Sequence, residues 1–362
     1  MKILYISPEN TVGTLNLWKD IHNKRGNICN FITLYYSQHQ YDPGICLNLP
    51  FITSKSWYKI FRNKYYKLFK NKRGDYIEKI GYPPIWEPNT YLEMLFFKLR
   101  DWLWHFKVEK LIKEMQLLDY DIYHFEWGLE FYRDARFINR LVKLGKPIIC
   151  TYHGQDLRTR GVISYIDSVC KLNLTSELDL LEKHPNIKYL FLPYNTCQHN
   201  FIIKNNHPIR ICHSPTNRYY KGSETIIKIC KVLSQRADVE FILIENKSNV
   251  ETKEIKQTCD ILIDQIYNRG GWGYGMNSVE ALSMGLCCVT ELTLEYEKFI
   301  PDHPFINVTS TTLYTELLEL IKNPKKLVHF KEKGKKWVTK YHDINNVADK
   351  LYNFYNENGW IK

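Results

Sequence analysis

The run Gly271-Trp-Gly-Tyr-Gly-Met-Asn-Ser-Val-Glu280-Ala-Leu-Ser-Met-Gly285-Leu-Cys-Cys-Val-Thr290 constrains the fold more than any other part of the chain. Alternate glycines at its start make a turn in which the backbone can approach a partner closely. The spacing then predicts a helix over residues 278–284, closed by Gly285, and a buried strand over 286–290. Turn, helix and buried strand in this order belong to a parallel sheet with crossover helices. Free N–H groups at Gly275, Asn277 and Ser278, where the helix begins, favour an anion such as a diphosphate. Glu280, in the first turns, offers a carboxylate to a diol such as a ribose. The competing reading is a glycine turn with a glutamate that only steadies the helix. Local physics leaves both open.

The same rhythm runs through the chain. Strands are expected over 2–7, 121–124, 147–152 and 189–193. Helices are expected over 11–24, entered through Val12-Gly13-Thr14, and over 131–144. After a polar stretch at 199–207 the pattern restarts, with strands over 209–213, 239–245 and 259–264 and a helix over 224–234. A length of 362 residues exceeds one ordinary core, so two domains are expected. The expected division is 1–200 and 208–339, with a helical tail over 340–362 carrying Val347, Leu351 and Tyr355 on from Trp337.

The net charge of +11 calls for an anionic partner: nucleic acid, acidic lipid or a phosphorylated substrate. Much of the excess sits in 55–73, which holds eight Lys/Arg and no acid. Trp57, Phe61, Tyr65 and Leu68 fall there at helical spacing, with Lys59, Arg62, Lys70 and Arg73 largely on another face. We expect this segment to meet an anionic membrane surface. A helix with a solvated basic face and a guide for an acidic glycan are the alternatives. Residues 91–115 continue with Leu92, Leu95, Phe96, Leu99, Leu103 and Phe106 at similar spacing. No nucleic-acid module is present, so nucleic acid is not expected as a partner. The ten cysteines contain no C-x-x-C pair, which argues against zinc and dithiol chemistry and for free thiols in a reducing, cytoplasmic setting. The N-terminus reads as the start of a fold, and no apolar run approaches the ~18 residues of a membrane span.

Two further constellations carry chemistry. His213-Ser-Pro-Thr-Asn-Arg218-Tyr-Tyr-Lys221-Gly-Ser-Glu224 follows the strand at 209–213. Arg218 and Lys221 would stand at its carboxyl end, where open α/β sheets bind ligands, and two cations there can neutralise a diphosphate. Cys150-Thr-Tyr-His153-Gly-Gln-Asp156 closes another strand and presents His153 as a catalytic candidate. His124 ends a third strand and Glu126 lies just beyond it; with Asp156 and Trp272 they are candidates for lining a cleft.

These segments together resemble the retaining glycosyltransferases of family 4, in the GT-B superfamily. The resemblance is clearest over 121–158 and 209–290. It implies two Rossmann-like domains with parallel sheets facing a central cleft, and a C-terminal helix that packs back on the first domain. It implies a nucleotide-diphosphate sugar as donor, a glycan or lipid-linked acceptor, a hexose transferred with retention, and neither metal nor other cofactor. The family's second glutamate, which binds the ribose, matches Glu280. Its Lys-Gly matches Lys221-Gly222, the lysine binding the diphosphate. Its Thr-x-His matches Thr151-Tyr-His153, the histidine contacting the donor sugar. The departures are specific: Trp272 stands where the family has its first glutamate, Thr216 stands where it has an arginine, with Arg218 nearby, and its double-glycine loop is reduced to Gly13. A sugar-nucleotide epimerase of the same fold and a binding protein without activity remain as rivals. A dinucleotide oxidoreductase is disfavoured, because no G-x-G-x-x-G follows residues 2–7.

Overall fold

A computed structural model describes residues 1–361 apart from 38–39, 52–59, 62–63, 66–78, 200, 202, 204–205 and 272. The chain forms two compact units, Met1–Leu190 together with Lys350–Lys362, and Phe191–Asp349.

The first unit is built on seven parallel strands: β1 (Lys2–Ser7), β2 (Ile28–Thr33), β3 (Ile45–Cys46), β4 (Ile122–Glu126), β5 (Ile148–Tyr152), β6 (Leu172–Thr175) and β7 (Ile187–Tyr189). Their order is β3-β2-β1-β4-β5-β6-β7. Ile3, Leu4, Tyr5 and Ile6 are all buried, because helices cover both faces of the sheet. Ile3 pairs with Cys29 on one side and Ile122 on the other. The strand order reverses between β1 and β4, so the loops after these strands diverge and leave the carboxyl edge open.

The second unit repeats the scheme with five parallel strands: β8 (Ile209–His213), β9 (Val239–Leu243), β10 (Ile261–Ile263), β11 (Cys287–Thr290) and β12 (Ile306–Asn307), in the order β12-β11-β10-β8-β9. Here the reversal falls between β8 and β10. Ile211, Ile226, Ile261, Ile263, Val289 and Leu317 form the centre of its core.

The chain changes units at Leu190/Phe191 and returns at Asp349/Lys350, not at 200–208 and 340. The strand expected over 189–193 ends at Tyr189 as β7. Beyond it the backbone turns to a different partner. The Tyr194 N–H donates to the His342 carbonyl at 2.7 Å, and the Ile344 N–H donates to the Tyr194 carbonyl at 2.9 Å. The Thr196 hydroxyl adds a bond of 2.5 Å to Asp343. Residues after Leu190 are thereby held to the end of the helix Pro324–His342. The last helix, Ile344–Glu357, starts in the second unit and finishes in the first.

The helix Tyr91–Glu114 is apolar around most of its circumference. Its buried face holds Glu93, Arg100, Asp101, Trp104, Val108 and Ile112. The leucines picked out by periodicity point the other way: Leu92, Leu95, Leu99 and Leu103 are exposed. Of the basic segment 55–73 only Ile60, Phe61, Lys64 and Tyr65 are described; Trp57, Lys59, Arg62, Leu68, Lys70 and Arg73 lie outside the described residues, as does Trp272. The ten cysteines are free thiols, seven of them buried. Among the described residues no helix is long and apolar enough to cross a membrane.

Candidate functional site

The second unit gathers polar groups at the carboxyl ends of β8 and β10. Asp264 immediately follows β10 and is fully buried. Its Oδ1 accepts from the Lys221 ammonium at 2.7 Å and the Asn277 amide at 3.1 Å, and its Oδ2 accepts from the Ser278 hydroxyl at 2.7 Å. Burial alone would raise this carboxyl; the Lys221 charge and the three hydrogen bonds overcome it and hold it at about 2. Lys221 also donates to Gln265 Oε1 at 3.1 Å, and Gln265 in turn donates to the Gly273 carbonyl at 2.5 Å. One carboxylate thus fixes the cation of the β8 loop to the start of the helix Met276–Met284.

Local sequence explains the placement. Gly222 has φ 67° and ends the short turn Arg218–Lys221, where a Cβ would stand 2.5 Å from the Ile266 carbonyl. His213, buried at the end of β8, bonds the Ile263 carbonyl and the Ser223 hydroxyl, each at 2.8 Å. It locks the two strands and the next helix together, and burial lowers its pKa. At Gly275 the space beyond the Cα is open, so the N-terminal amides of the nine-residue helix are not covered by a side chain there. Asn277 Oδ1, a buried acceptor, has no hydrogen-bond partner among the described residues. A helix start open at Gly275, a lysine held on a buried carboxylate and the Asn277 amide oxygen therefore share one edge of the sheet; the Ser278 N–H, expected to be free, donates to the Gly275 carbonyl at 3.0 Å.

The other picks in this unit have partners that periodicity did not show. Glu280 is buried and pairs with Lys256 at 2.8 Å, with Lys253 at 3.6 Å. Burial alone would raise its carboxyl, but the two lysines overcome this and lower it. Arg218 is exposed and grips Glu245 through Nε at 2.7 Å and Nη2 at 2.6 Å, with Glu224 at 3.0 Å. It is neutralised by acids at this edge and does not stand free as a second cation.

In the first unit His153 follows β5, and its Nε2 lies 2.5 Å from Glu126 Oε2 at the end of β4. Its side chain remains 35% exposed and that of Glu126 8%. Desolvation would lower the imidazole; the Glu126 carboxylate, with Asp156 and Glu177, outweighs it and raises the histidine to about 9. His153 is therefore an imidazolium at neutral pH. Asp156 is a capping residue: its carboxylate accepts the N–H groups of His153, Gly154 and Leu157. His124 lines no open surface. It is buried, stacked on Tyr5 with centroids 4.2 Å apart, and bonded to Tyr355 at 2.5 Å. Burial holds it well below the usual imidazole range. Gly13 has φ 77° and opens the helix Thr14–Lys24, and a Cβ there would touch the Tyr41 ring at 3.0 Å.

Sequence reasoning missed Asp264, Gln265, Lys253 and Lys256. Asp264 carried one signal, an acid directly after a short apolar strand. The lysines carried none, since they come from the helix Asn249–Gln257, and Lys256 is 24 residues from Glu280 in sequence.

No protein-family model matches the chain, and no curated protein sequence matches it. Solved structures do. The chain is similar to Anabaena HepE in complex with UDP and glucose, with a TM-score of 0.58 and 11% identity over 98% of this chain and 99% of that one. It is similar to an α-glucosyltransferase in complex with UDP-glucose and DNA containing an abasic site, with a TM-score of 0.55 and 9% identity over 98% of each chain. The glycosyltransferase SnogD from Streptomyces nogalater gives a TM-score of 0.50 and 11% identity over 98% of this chain and 99% of that one. With its seven- and five-stranded parallel sheets, the protein has the GT-B fold of the glycosyltransferases. Likeness at these identities speaks to fold, and chemistry must come from the site.

Proposed function

We propose that the protein is a glycosyltransferase using a nucleotide-diphosphate sugar bound by its second unit. The observation that carries this reading is the convergence of Lys221, Asn277 and Ser278 on Asp264 at the strand reversal between β8 and β10. A diphosphate there would meet the helix amides near Gly275–Ser278 and the Lys221 ammonium. As the glycosidic bond breaks, negative charge grows on the leaving diphosphate. A cation and amides already held in place stabilise that charge without reorganising. Glu280 is assigned to the nucleotide ribose and His153, carried as an imidazolium by Glu126, to the transfer step.

The finer features follow the family-4 resemblance: a hexose, retention at the anomeric carbon, no metal, and a glycan or lipid-linked acceptor, with 55–73 meeting an anionic membrane. UDP and UDP-glucose occupy HepE and the α-glucosyltransferase, which makes uridine diphosphate sugars the first donors to try. The test is a thermal-shift screen of nucleotide sugars, then mass analysis of products with and without EDTA. A donor that raises the melting temperature and yields a glycosylated acceptor supports the reading. An epimerised sugar nucleotide would replace it with the epimerase, and no stabilisation by any nucleotide sugar would remove the donor site.

A further inference from the structure

The helix Tyr91–Glu114 buries Glu93, Arg100 and Asp101 beside Trp104, Val108 and Ile112, and leaves a row of apolar side chains on the opposite, exposed face. The buried polar groups are held by specific bonds. Arg100 and Asp101 pair at 2.9 Å inside the unit, with the guanidinium 4.1 Å from the Trp104 ring centroid, and Asp101 accepts the Arg133 N–H at 2.7 Å. Glu93 accepts the Asn89 N–H at 2.7 Å. Outside, Leu92, Leu95, Leu99, Trp102 and Phe106 recur at steps of three, four, three and four residues, so they form one stripe about 21 Å long. Leu92, Leu99, Trp102 and Phe106 are each more than half exposed. A continuous stripe of such side chains reaches the several hundred Å² at which an open apolar patch marks an interaction surface.

Charge selects the occupant. Within 91–110 the acids are spoken for: Glu93 and Asp101 are buried, and Glu109 binds Arg140 at 2.9 Å. The exposed charges along the rest of the helix are Lys98, Lys107, Lys110, Lys113 and Glu114, with Glu114 3.7 Å from Lys110, so lysines stay in clear excess. Tyr65 bonds Thr90, the cap of this helix, which brings the exposed Lys64 next to it in sequence toward the helix start. A second copy of the chain would set lysines against lysines. An apolar surface with anionic headgroups satisfies both parts.

We infer that this face of the helix docks in the plane of an acidic lipid bilayer. Leu92, Leu95, Leu99, Trp102 and Phe106 enter the acyl boundary, and the lysines extend back to the headgroups. The inference does not depend on the donor site of the second unit.

The test is co-sedimentation of the full chain with phosphatidylcholine vesicles and with vesicles containing about one-third phosphatidylglycerol, at low salt, with no activity readout. The wild type should prefer the acidic vesicles at least tenfold, with about fivefold lost per lysine changed to glutamine at 98, 107 and 110. The pair Leu99→Glu and Phe106→Glu should abolish binding while the thermal melt stays unchanged. If the charged pair lowers the melt, Leu99→Gln and Phe106→Gln serve the same purpose. Failure of the wild type to bind acidic vesicles, or full binding by the stripe variants, overturns the inference. So does a stable dimer in sedimentation velocity that Leu99→Glu dissociates, since that gives the face to a second copy.

Discussion

Lys221 and Asp264 form an ion pair of 2.7 Å across the carboxyl ends of β8 and β10, with the carboxylate fully buried and the lysine partly open to solvent. The geometry is asymmetric: the acid is fixed and the cation is presented. Asp264 also receives Ser278 and Asn277, so one residue sets the position of groups from two loops.

Asp264→Asn should weaken nucleoside-diphosphate binding about tenfold or more while nucleoside binding changes less, as calorimetry with both ligands will show. The variant also has a pH signature. The folded carboxyl sits at about 2 against 3.8 unperturbed, a depressed value. Its stabilisation, about 2 kcal/mol, is present above pH ~4 and lost as pH falls toward 2. Acid melts of Asp264→Asn should be flatter through that window, and an unchanged acid limb would show that the pair contributes nothing.

His153 should titrate near pH 9 in nitrogen-detected NMR. Its value is raised, so its pairing with Glu126 is complete below pH 6.5 and lost as pH climbs through about 9. Glu126→Gln should bring the midpoint down by at least a unit. Turnover in His153→Ala should fall with donor affinity nearly kept. A wild-type midpoint below 6.5 would refute the imidazolium.

Glu280→Ala cannot be treated as a silent change to a ligand contact, because it strands the buried Lys256 ammonium. Leaving one charge of a buried pair alone costs about 3–5 kcal/mol. Glu280→Gln should cost clearly less in urea unfolding. Under the proposed function it should still weaken nucleotide binding by about 1.5–3 kcal/mol, the worth of one charge-assisted bond. Equal destabilisation by both variants would contradict the pairing.

Glu245→Gln should release Arg218 from its bidentate grip. If Arg218 serves the diphosphate, affinity for it should rise about two- to fivefold, in keeping with exposed pairs. Nucleoside affinity should not move. A fall in diphosphate affinity would mean that Glu245 aims the arginine rather than restraining it.

The strands β1, β5, β10 and β11 were readable because each is a mostly apolar run buried on both faces. β3 and β12 are two residues each, too short to show a period. Lys221, Asn277 and Ser278 were readable as loop residues beside glycines, but the carboxylate that unites them lies in a different loop. His124 was misplaced because its neighbour Tyr355 is 231 residues away in sequence. The helix Tyr91–Glu114 shows the limit most clearly. Spacing locates an apolar stripe but not its direction, and here the Arg100–Asp101 pair decides which side turns inward.

The division of the first unit between Met1–Leu190 and Lys350–Lys362 sets a timetable for the ribosome. His22 bonds Tyr352 at 2.8 Å and His124 bonds Tyr355 at 2.5 Å, so two histidines of the first unit wait for residues translated 330 and 231 positions later. All residues of the second unit have been synthesised before the first can close. A premature stop near residue 349 would therefore injure the first unit, leaving His22 and His124 with Tyr5 but without Tyr352 and Tyr355, and opening the surface that these two cover to proteases and chaperones.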